Sequence, residues 1–452
     1  MTIENKCVDR RTFLKTAGMG GAALTLTGGL SGNSVAAETT GSKELKKVPT
    51  RILGKTGVPV SILGMGGGVD PSGYEVLLRI CLNMGINYWD SSSMYGNGKN
   101  EEVIGQYFTK YPEDRKKVFQ VTKASRVTDP DGMSKQLTQS MERMKTDYID
   151  LYFMHGLQNP ESLTPQIKAW VEQRKKEGKI KFFGFSCHGN MAKMLAAAAS
   201  LGWIDALMTT YNYQFVNNDE MKKAIDACAK ASVGLVAMKT QGQRIGPPAN
   251  MQGGRDGKGT GSTDQAQGRE GEPQGQDGQK QGAPQDMQTQ SATTESEDLS
   301  AMSHFLTKGY TIEQAKLKLI WEDKRIASCV SDMSNTTLLK ANAAAATDSV
   351  KLSDRDRDVL DRLAQCDRSL YCQACMRCES IMETDSRIPD ILRYMMYYNS
   401  YGKTDHARAL FRELPEDIRT GLMTRDYSSA ENACPNKIRI AMAMKEAVRL
   451  LA

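Results

Sequence analysis

Between Thr50 and about Ala345 the chain alternates short apolar runs with helical patterns, and this alternation constrains the fold more than any other feature. The strand candidates are Val58–Gly64, Ile86–Trp89, Val118–Thr122, Tyr148–Met154, Ile180–Phe185, Ala206–Tyr211, Gly234–Met238 and Arg325–Val330. Between them lie helical patterns at Tyr74–Met84, Glu101–Tyr111, Met133–Met144, Pro165–Glu177, Met191–Leu201, Glu220–Ala231 and Ile312–Glu322. Strands that alternate with helices pair in parallel through right-handed crossovers. Eight such units in roughly 290 residues predict a closed (β/α)8 TIM barrel, which takes ~250 residues plus insertions. The structural rival is an open, doubly wound sheet. No Gly-x-Gly-x-x-Gly opens a helix after the first strand, which weakens that rival.

Chemistry in such barrels sits at the carboxyl ends of the strands. Those ends hold Asp90, Lys123 and His155, and Tyr95 lies in the loop after Asp90. Each alone has a bland reading: a helix cap, a solvated lysine, a satisfied core histidine. Together at consecutive strand ends they suit carbonyl reduction. Hydride addition leaves an alkoxide that needs a proton. A tyrosine hydroxyl is a weak acid, with a reference pKa of ~10. A neighbouring ammonium stabilises its phenolate and lowers that value. Asp90 would hold Lys123 in place, and His155 would orient the carbonyl oxygen.

The chain resembles the aldo/keto reductases. The matching residues are Arg51-Ile52-Leu53-Gly54-Lys55-Thr56-Gly57-Val58-Pro59-Val60-Ser61, Gly85-Ile86-Asn87-Tyr88-Trp89-Asp90 with Tyr95, then Lys123, His155 and Gly184-Phe185-Ser186. The resemblance implies Tyr95 as proton donor, Lys123 and Asp90 as its tuners and His155 as orienter. It also implies NADP or NAD bound without a separate nucleotide domain, with Gly66, Ser186, Cys187, Met238 and Lys239 as the cofactor-binding residues. The cofactor shell departs from the family pattern. Cys187 stands where an Asn is usual, Met208 where a Gln is expected, and Met238 where an aromatic residue commonly stacks. Asp332 and Leu338 occupy places that often carry Lys and Arg for the 2′-phosphate of NADP. An acid there repels a phosphate.

Residues 1–37 read as an address. Arg10-Arg11 precede a weakly apolar, Gly- and Ala-rich stretch from Thr16 to Leu30, and Val35-Ala36-Ala37 offers a cleavage site. This resembles a twin-arginine export signal, and it predicts a periplasmic protein that engages that export machinery. No apolar run reaches the ~18 residues of a membrane-spanning helix. The formal charge of +6, from 59 basic and 53 acidic residues, is too mild and unclustered for a nucleic-acid surface.

The tail carries a second signal. Leu352–Gln365 reads as an amphipathic helix, and Ile388–Tyr398 and His406–Glu413 also look helical. Cys372, Cys375 and Cys378 form a Cys-x-x-Cys-x-x-Cys run, and Cys434-Pro435 follows far downstream. In bacterial ferredoxins such a run gives three ligands to a 4Fe-4S cube and a remote Cys-Pro gives the fourth. The tail, residues 352–452, therefore resembles a small, mostly α-helical ferredoxin-like iron-sulfur domain of the two-cluster kind that has lost one cluster. Met382, Tyr427 and Ala430 stand where thiols of the second cube would be. Zinc and a redox-sensing thiol group are the alternatives, and Cys366 is a substitute ligand should Cys434 be unused. Cys81, Cys187, Cys228 and Cys329 read as buried apolar residues.

These features predict an exported oxidoreductase acting on a small carbonyl substrate, with a single cluster and a possible redox partner protein. The runner-up is a non-catalytic electron carrier on a retired barrel. Gly246 to Asp298 holds no Val, Ile, Leu, Phe, Tyr or Trp and is dense in Gly, Gln, Ser and Thr. Such a segment cannot bury enough apolar surface to offset its ordering entropy, so a disordered insertion is expected. Limited proteolysis of the folded protein should cut first between residues 246 and 298; protection of this stretch would refute the expectation.

Overall fold

A computed structural model describes residues 46–67, 73–246, 285–382 and 385–452. The expected signal, residues 1–37, lies outside them. Lys46 to Ala452 form one compact unit.

The barrel is closed. A short antiparallel hairpin, β1 (Thr50–Ile52) with β2 (Pro59–Ser61), precedes it. The wall is β3 (Leu63–Met65), β4 (Tyr88–Asp90), β5 (Phe119–Ser125), β6 (Ile149–His155), β7 (Ile180–Cys187), β8 (Ala206–Thr210), β9 (Gly234–Met238) and β10 (Ile326–Ser331). Each pairs in parallel with the next, and β10 closes on β3 with Cys329 opposite Leu63. The first strand expectation needs correction. The run 58–64 is two strands, broken at Ile62, whose carbonyl oxygen accepts hydrogen bonds from the Trp321 indole and the Cys329 amide. Leu53 and Val60 from the hairpin region join Tyr88, Phe119, Val121, Leu151, Phe153, Met208 and Val236 in one buried cluster.

The crossover helices are α1 (Tyr74–Asn83), α2 (Lys99–Lys110), α3 (Pro130–Met144), α4 (Pro165–Lys176), α5 (Met191–Leu201) and α6 (Asp219–Lys230). Their starts obey local chemistry. Asp129, Thr164 and Asn218 each accept an amide hydrogen bond at an N-terminus, and Pro130 and Pro165 open their helices. After β9 come α7 (Gln285–Leu306), α8 (Ile312–Glu322) and, past β10, α9 (Thr336–Thr347).

The expected insertion lies mainly outside the described residues, but its end does not follow the expectation. From Gln285 it belongs to α7. The helix continues into buried Ala301 and Phe305, and Asp298 pairs with Arg244 at 2.6 Å. The apolar residues that fix α7 lie beyond 298, so the composition of the insertion alone did not show them.

Among the described residues the tail's regular elements are all helices: α10 (Asp354–Cys366), α11 (Arg377–Ile381), α12 (Ile388–Asn399), α13 (Thr404–Arg412), α14 (Glu416–Gly421), α15 (Ser428–Ala433) and α16 (Ile440–Leu451). Helix α10 packs Val359, Leu360 and Leu363 against Phe305, Ile312 and Leu319. The remaining helices gather a core of their own around Ile391, Leu392, Phe411, Ile440 and Met444. In α16 the buried residues Ile440, Met444, Ala447 and Leu451 recur at helical spacing.

Strand β7 runs so close to β8 that a Cβ on Gly184 would lie 1.7 Å from the Ala206 carbonyl oxygen. Overpacking of this kind costs roughly 1–3 kcal/mol. Gly184→Ala should lower the urea midpoint by a corresponding amount; an unchanged midpoint would show that the two strands can part freely.

Candidate active site at the barrel mouth

Asp90 ends β4 and Lys123 lies within β5, which runs on to Ser125. Lys123 Nζ donates to both Asp90 carboxylate oxygens and to the Ser91 carbonyl oxygen, each at 2.7 Å. Three partners engage an ammonium with three donors. Asp90 is 3% and Lys123 1% exposed. Burial opposes both charges, raising the Asp90 carboxyl and lowering the Lys123 ammonium, and their bidentate contact offsets it.

Tyr95 sits in a 3-10 turn after β4, where Gly96, Asn97 and Gly98 all take positive φ before α2 starts. Its ring packs on Gly67: a Cβ there would come within 2.7 Å of the Tyr95 ring. Lys123 Nζ lies 5.0 Å from the centre of that ring. The expected lowering of the Tyr95 hydroxyl by Lys123 is not found. Burial pushes it well above the usual phenol value, and Asp90, Tyr397 and Tyr74 add to the rise. The reason is that the Lys123 donors are directed at Asp90 and Ser91.

His155 ends β6, with its ring edge-on to Tyr95 at 5.8 Å. Its Nδ1 is within hydrogen-bond distance of the Ser125 hydroxyl, at 2.8 Å, and the Ser92 hydroxyl, at 3.0 Å. Burial, with Lys123, Arg393 and Lys239, brings its pKa down to about 3. The four expected residues are therefore gathered in one place.

The expected cofactor shell is less well gathered. Gly66, Ser186, Cys187, Met238 and Lys239 all lie at carboxyl ends of strands, but only Lys239 lines the mouth cavity. The Ser186 hydroxyl accepts from the Gly156 amide, and the buried Cys187 thiol, raised by burial to about 12, contacts Thr209. Met238 is buried with the barrel interior. Gly66 gives room for β10, since a Cβ there would meet the Ser331 carbonyl oxygen at 2.9 Å.

The tail closes over the strand ends. The Ile245 amide donates to Leu370, the Asn190 amide to Ala374, and the Asn212 side chain to the Tyr371 hydroxyl. Between tail and barrel lies a cavity. His188, Thr210 and Lys239 from the barrel line it, together with Cys372, Leu392 and Arg393 from the tail. Cys372 also lines a neighbouring cavity, shared with Cys375, Cys378 and Cys434.

All four thiols are free. The Ala374 amide donates to Cys372 Sγ at 3.3 Å, and Ala374 and Met376 hold positive φ, an uncommon state for such residues. The walls are mostly apolar, with Pro389, Leu392, Pro435, Ile438 and Ile440, and Gln373 and Asn436 are their polar members. A soft, four-thiol donor set in an apolar pocket suits an iron-sulfur cluster. Among the described residues, however, no group of three or more Cys, His, Asp or Glu side chains is drawn together as metal ligands.

Sequence reasoning passed over His188, Ser92, Ser125, Arg393 and Tyr397. Ser125 follows Lys123 by two residues on one strand, and His188 follows Cys187 at a strand end, so position could have flagged both. Nothing local marks Arg393 or Tyr397, because the docking of the tail brings them in.

The profile of the Aldo/keto reductase family matches residues 62–365, and that of the TAT pathway signal sequence matches residues 7–27. An aldo-keto reductase of Schizosaccharomyces pombe, yakc, whose name specifies NADP(+), is 28% identical over 43% of this chain and 62% of its own length. L-galactose dehydrogenase of Arabidopsis thaliana is 21% identical over 67% of this chain and 90% of its own. The solved structure of an aldo-keto reductase from Bacillus halodurans in its holo form shares the fold. Its TM-score is 0.50 and its identity 20%, covering 72% of this chain and 99% of that one. No described helix is long and apolar enough to cross a membrane.

The depressed His155 has a consequence for pH. Its folded pKa of about 3 lies below the unfolded value of ~6.5, so the folded state binds fewer protons between them. Stability from this group is fully present above pH ~6.5 and falls on acidification, by up to ~1.4 kcal/mol per pH unit. Ring NMR should show His155 neutral down to pH 5; titration near its ordinary value would show that water reaches the ring.

Proposed function

This chain belongs to the aldo/keto reductase family, and from that premise we propose an exported oxidoreductase that interconverts a carbonyl and an alcohol beside a single 4Fe-4S cluster. The observation that carries the coupling is that Cys372 lines both the mouth cavity and the four-cysteine cavity. A nicotinamide nucleotide, NADP or NAD, supplies or accepts a hydride when bound, and a cluster exchanges single electrons. Cys372, Cys375, Cys378 and Cys434 are the residues that would hold the cluster. Gly66, Ser186, Cys187, Met238 and Lys239 mark the strand ends that would border the nucleotide.

The chain's own residues handle the proton. Tyr95 donates it to the carbonyl oxygen. The phenol is protonated at neutral pH, as a donor must be, although burial weakens it as an acid. The Lys123 ammonium near the ring offsets the charge left behind. Asp90 anchors Lys123. His155, neutral, presents Nε2–H to the carbonyl oxygen while Nδ1 accepts from Ser125 or Ser92. The twin-arginine signal supports export into the periplasm. That compartment does not regenerate free nicotinamide nucleotide, so the nucleotide is loaded before export or the cluster provides the electrons.

One observation favours a second reading, an electron carrier on a retired barrel: the donors of Lys123 are directed at Asp90 and Ser91 and leave Tyr95 a weak acid. Nucleotide titration of the purified protein separates the two. The enzyme binds NAD(P)H; the carrier does not, yet its cluster is redox-active.

Tyr95→Phe should reduce carbonyl turnover by roughly a hundredfold or more while iron and sulfide content stays constant. Retained turnover removes Tyr95 from its role. Cys375→Ala should empty the anaerobically prepared protein of iron; unchanged iron would end the cluster assignment.

A further inference from the structure

The mouth cavity carries two cations that do not belong to the catalytic set. Two cations line it: Lys239, just after β9, and Arg393 of α12. Among the described residues no carboxylate lines it. Its other polar walls are His188, Thr210, Gln243, Tyr371 and Gln373, groups able to donate hydrogen bonds. Asp390 pairs with Arg393 at 2.6 Å from within α12 and sets its direction. Among the described residues no carboxylate pairs with Lys239, whose ammonium instead hydrogen-bonds the Tyr397 hydroxyl and lies 4.6 Å from the centre of the Tyr397 ring and 5.2 Å from that of Tyr401.

The cations act on everything around them. They help to hold His155 and His188 below their usual values, after burial as the main cause. Burial alone would raise the Tyr397 hydroxyl; Lys239 and Arg393 reverse this and bring it below the usual phenol value. Two cations facing one cavity, only Arg393 of them paired with a carboxylate among the described residues, draw an anion out of water.

We propose that this cavity binds the carboxylate of a small carbonyl substrate between Lys239 of the barrel and Arg393 of the tail. The assignment deepens the proposed function by naming the substrate class. It takes Lys239 away from the nucleotide and gives the tail half of the substrate site. The carboxylate would be seated beside Cys372, on the wall the two cavities share.

Binding, not turnover, tests this, so a failure here is distinct from a failure of the proposed reaction. The full-length protein is titrated calorimetrically with sodium acetate and, as a neutral probe, acetone. Saturable acetate binding that weakens with salt, without acetone binding, is expected. Arg393→Gln and Lys239→Gln should each weaken acetate roughly ten- to a hundredfold, the range for hydrogen bonds to charged groups. Arg393→Lys should restore part of the loss, which a folding defect would not. Arg126→Gln, on the exposed pair with Glu413, should change nothing. Absent binding, or binding indifferent to both glutamine variants, overturns the proposal. The titration is repeated with saturating NADPH. Undiminished acetate binding supports the substrate assignment. Competition, with inorganic phosphate binding more tightly than acetate, overturns it in favour of a nucleotide phosphate.

Discussion

Closure of eight parallel strands is the constraint on which the rest depends. Once β10 pairs with β3, every strand carboxyl end lies on one rim. Asp90, Lys123 and His155 belong to three successive strands, and parallel register sets them side by side: Asp90 opposite Val121, Lys123 opposite Phe153, Ser125 opposite His155. No side chain has to reach far. The Ser125–His155 contact follows directly from that last pairing. Gly67 then leaves the space into which the Tyr95 ring folds.

The buried Asp90–Lys123 pair shows how such a site holds charge. Either ion alone would be costly in the interior. The bidentate contact, and the third hydrogen bond to Ser91, satisfy the ammonium fully. The same satisfaction limits what Lys123 does for Tyr95. It acts through proximity to the ring and not through a hydrogen bond to the hydroxyl, so burial governs the phenol.

The tail changes the character of the rim. Its anchors are backbone amides and side chains: Ile245 to Leu370, Asn190 to Ala374, Asn212 to the Tyr371 hydroxyl, and Arg244 to Asp367. Ile245, from the loop after β9, is buried in the core of the tail. These contacts place the cysteine loop and α12 over the strand ends. The mouth becomes a walled cavity with cations from both parts.

Periodicity in the sequence was enough for the barrel, since each strand and helix buries a face that its own residues announce. The strand-end rule singled out Asp90, Lys123 and His155, and the Cys-x-x-Cys-x-x-Cys run picked out the thiols. The break at Ile62 and helix α7 escaped, because both depend on partners distant in the chain, Trp321 and Cys329 for one and Arg244 for the other. The sequence by itself determined the closed barrel, its chemically armed rim and the four thiols of the tail. Only the tertiary structure decided that Lys123 turns its donors to Asp90, and that Arg393, Tyr397 and Cys372 reach the barrel mouth. The reason is that local pattern fixes which face of an element is buried, whereas docking between elements far apart in sequence fixes what that face meets.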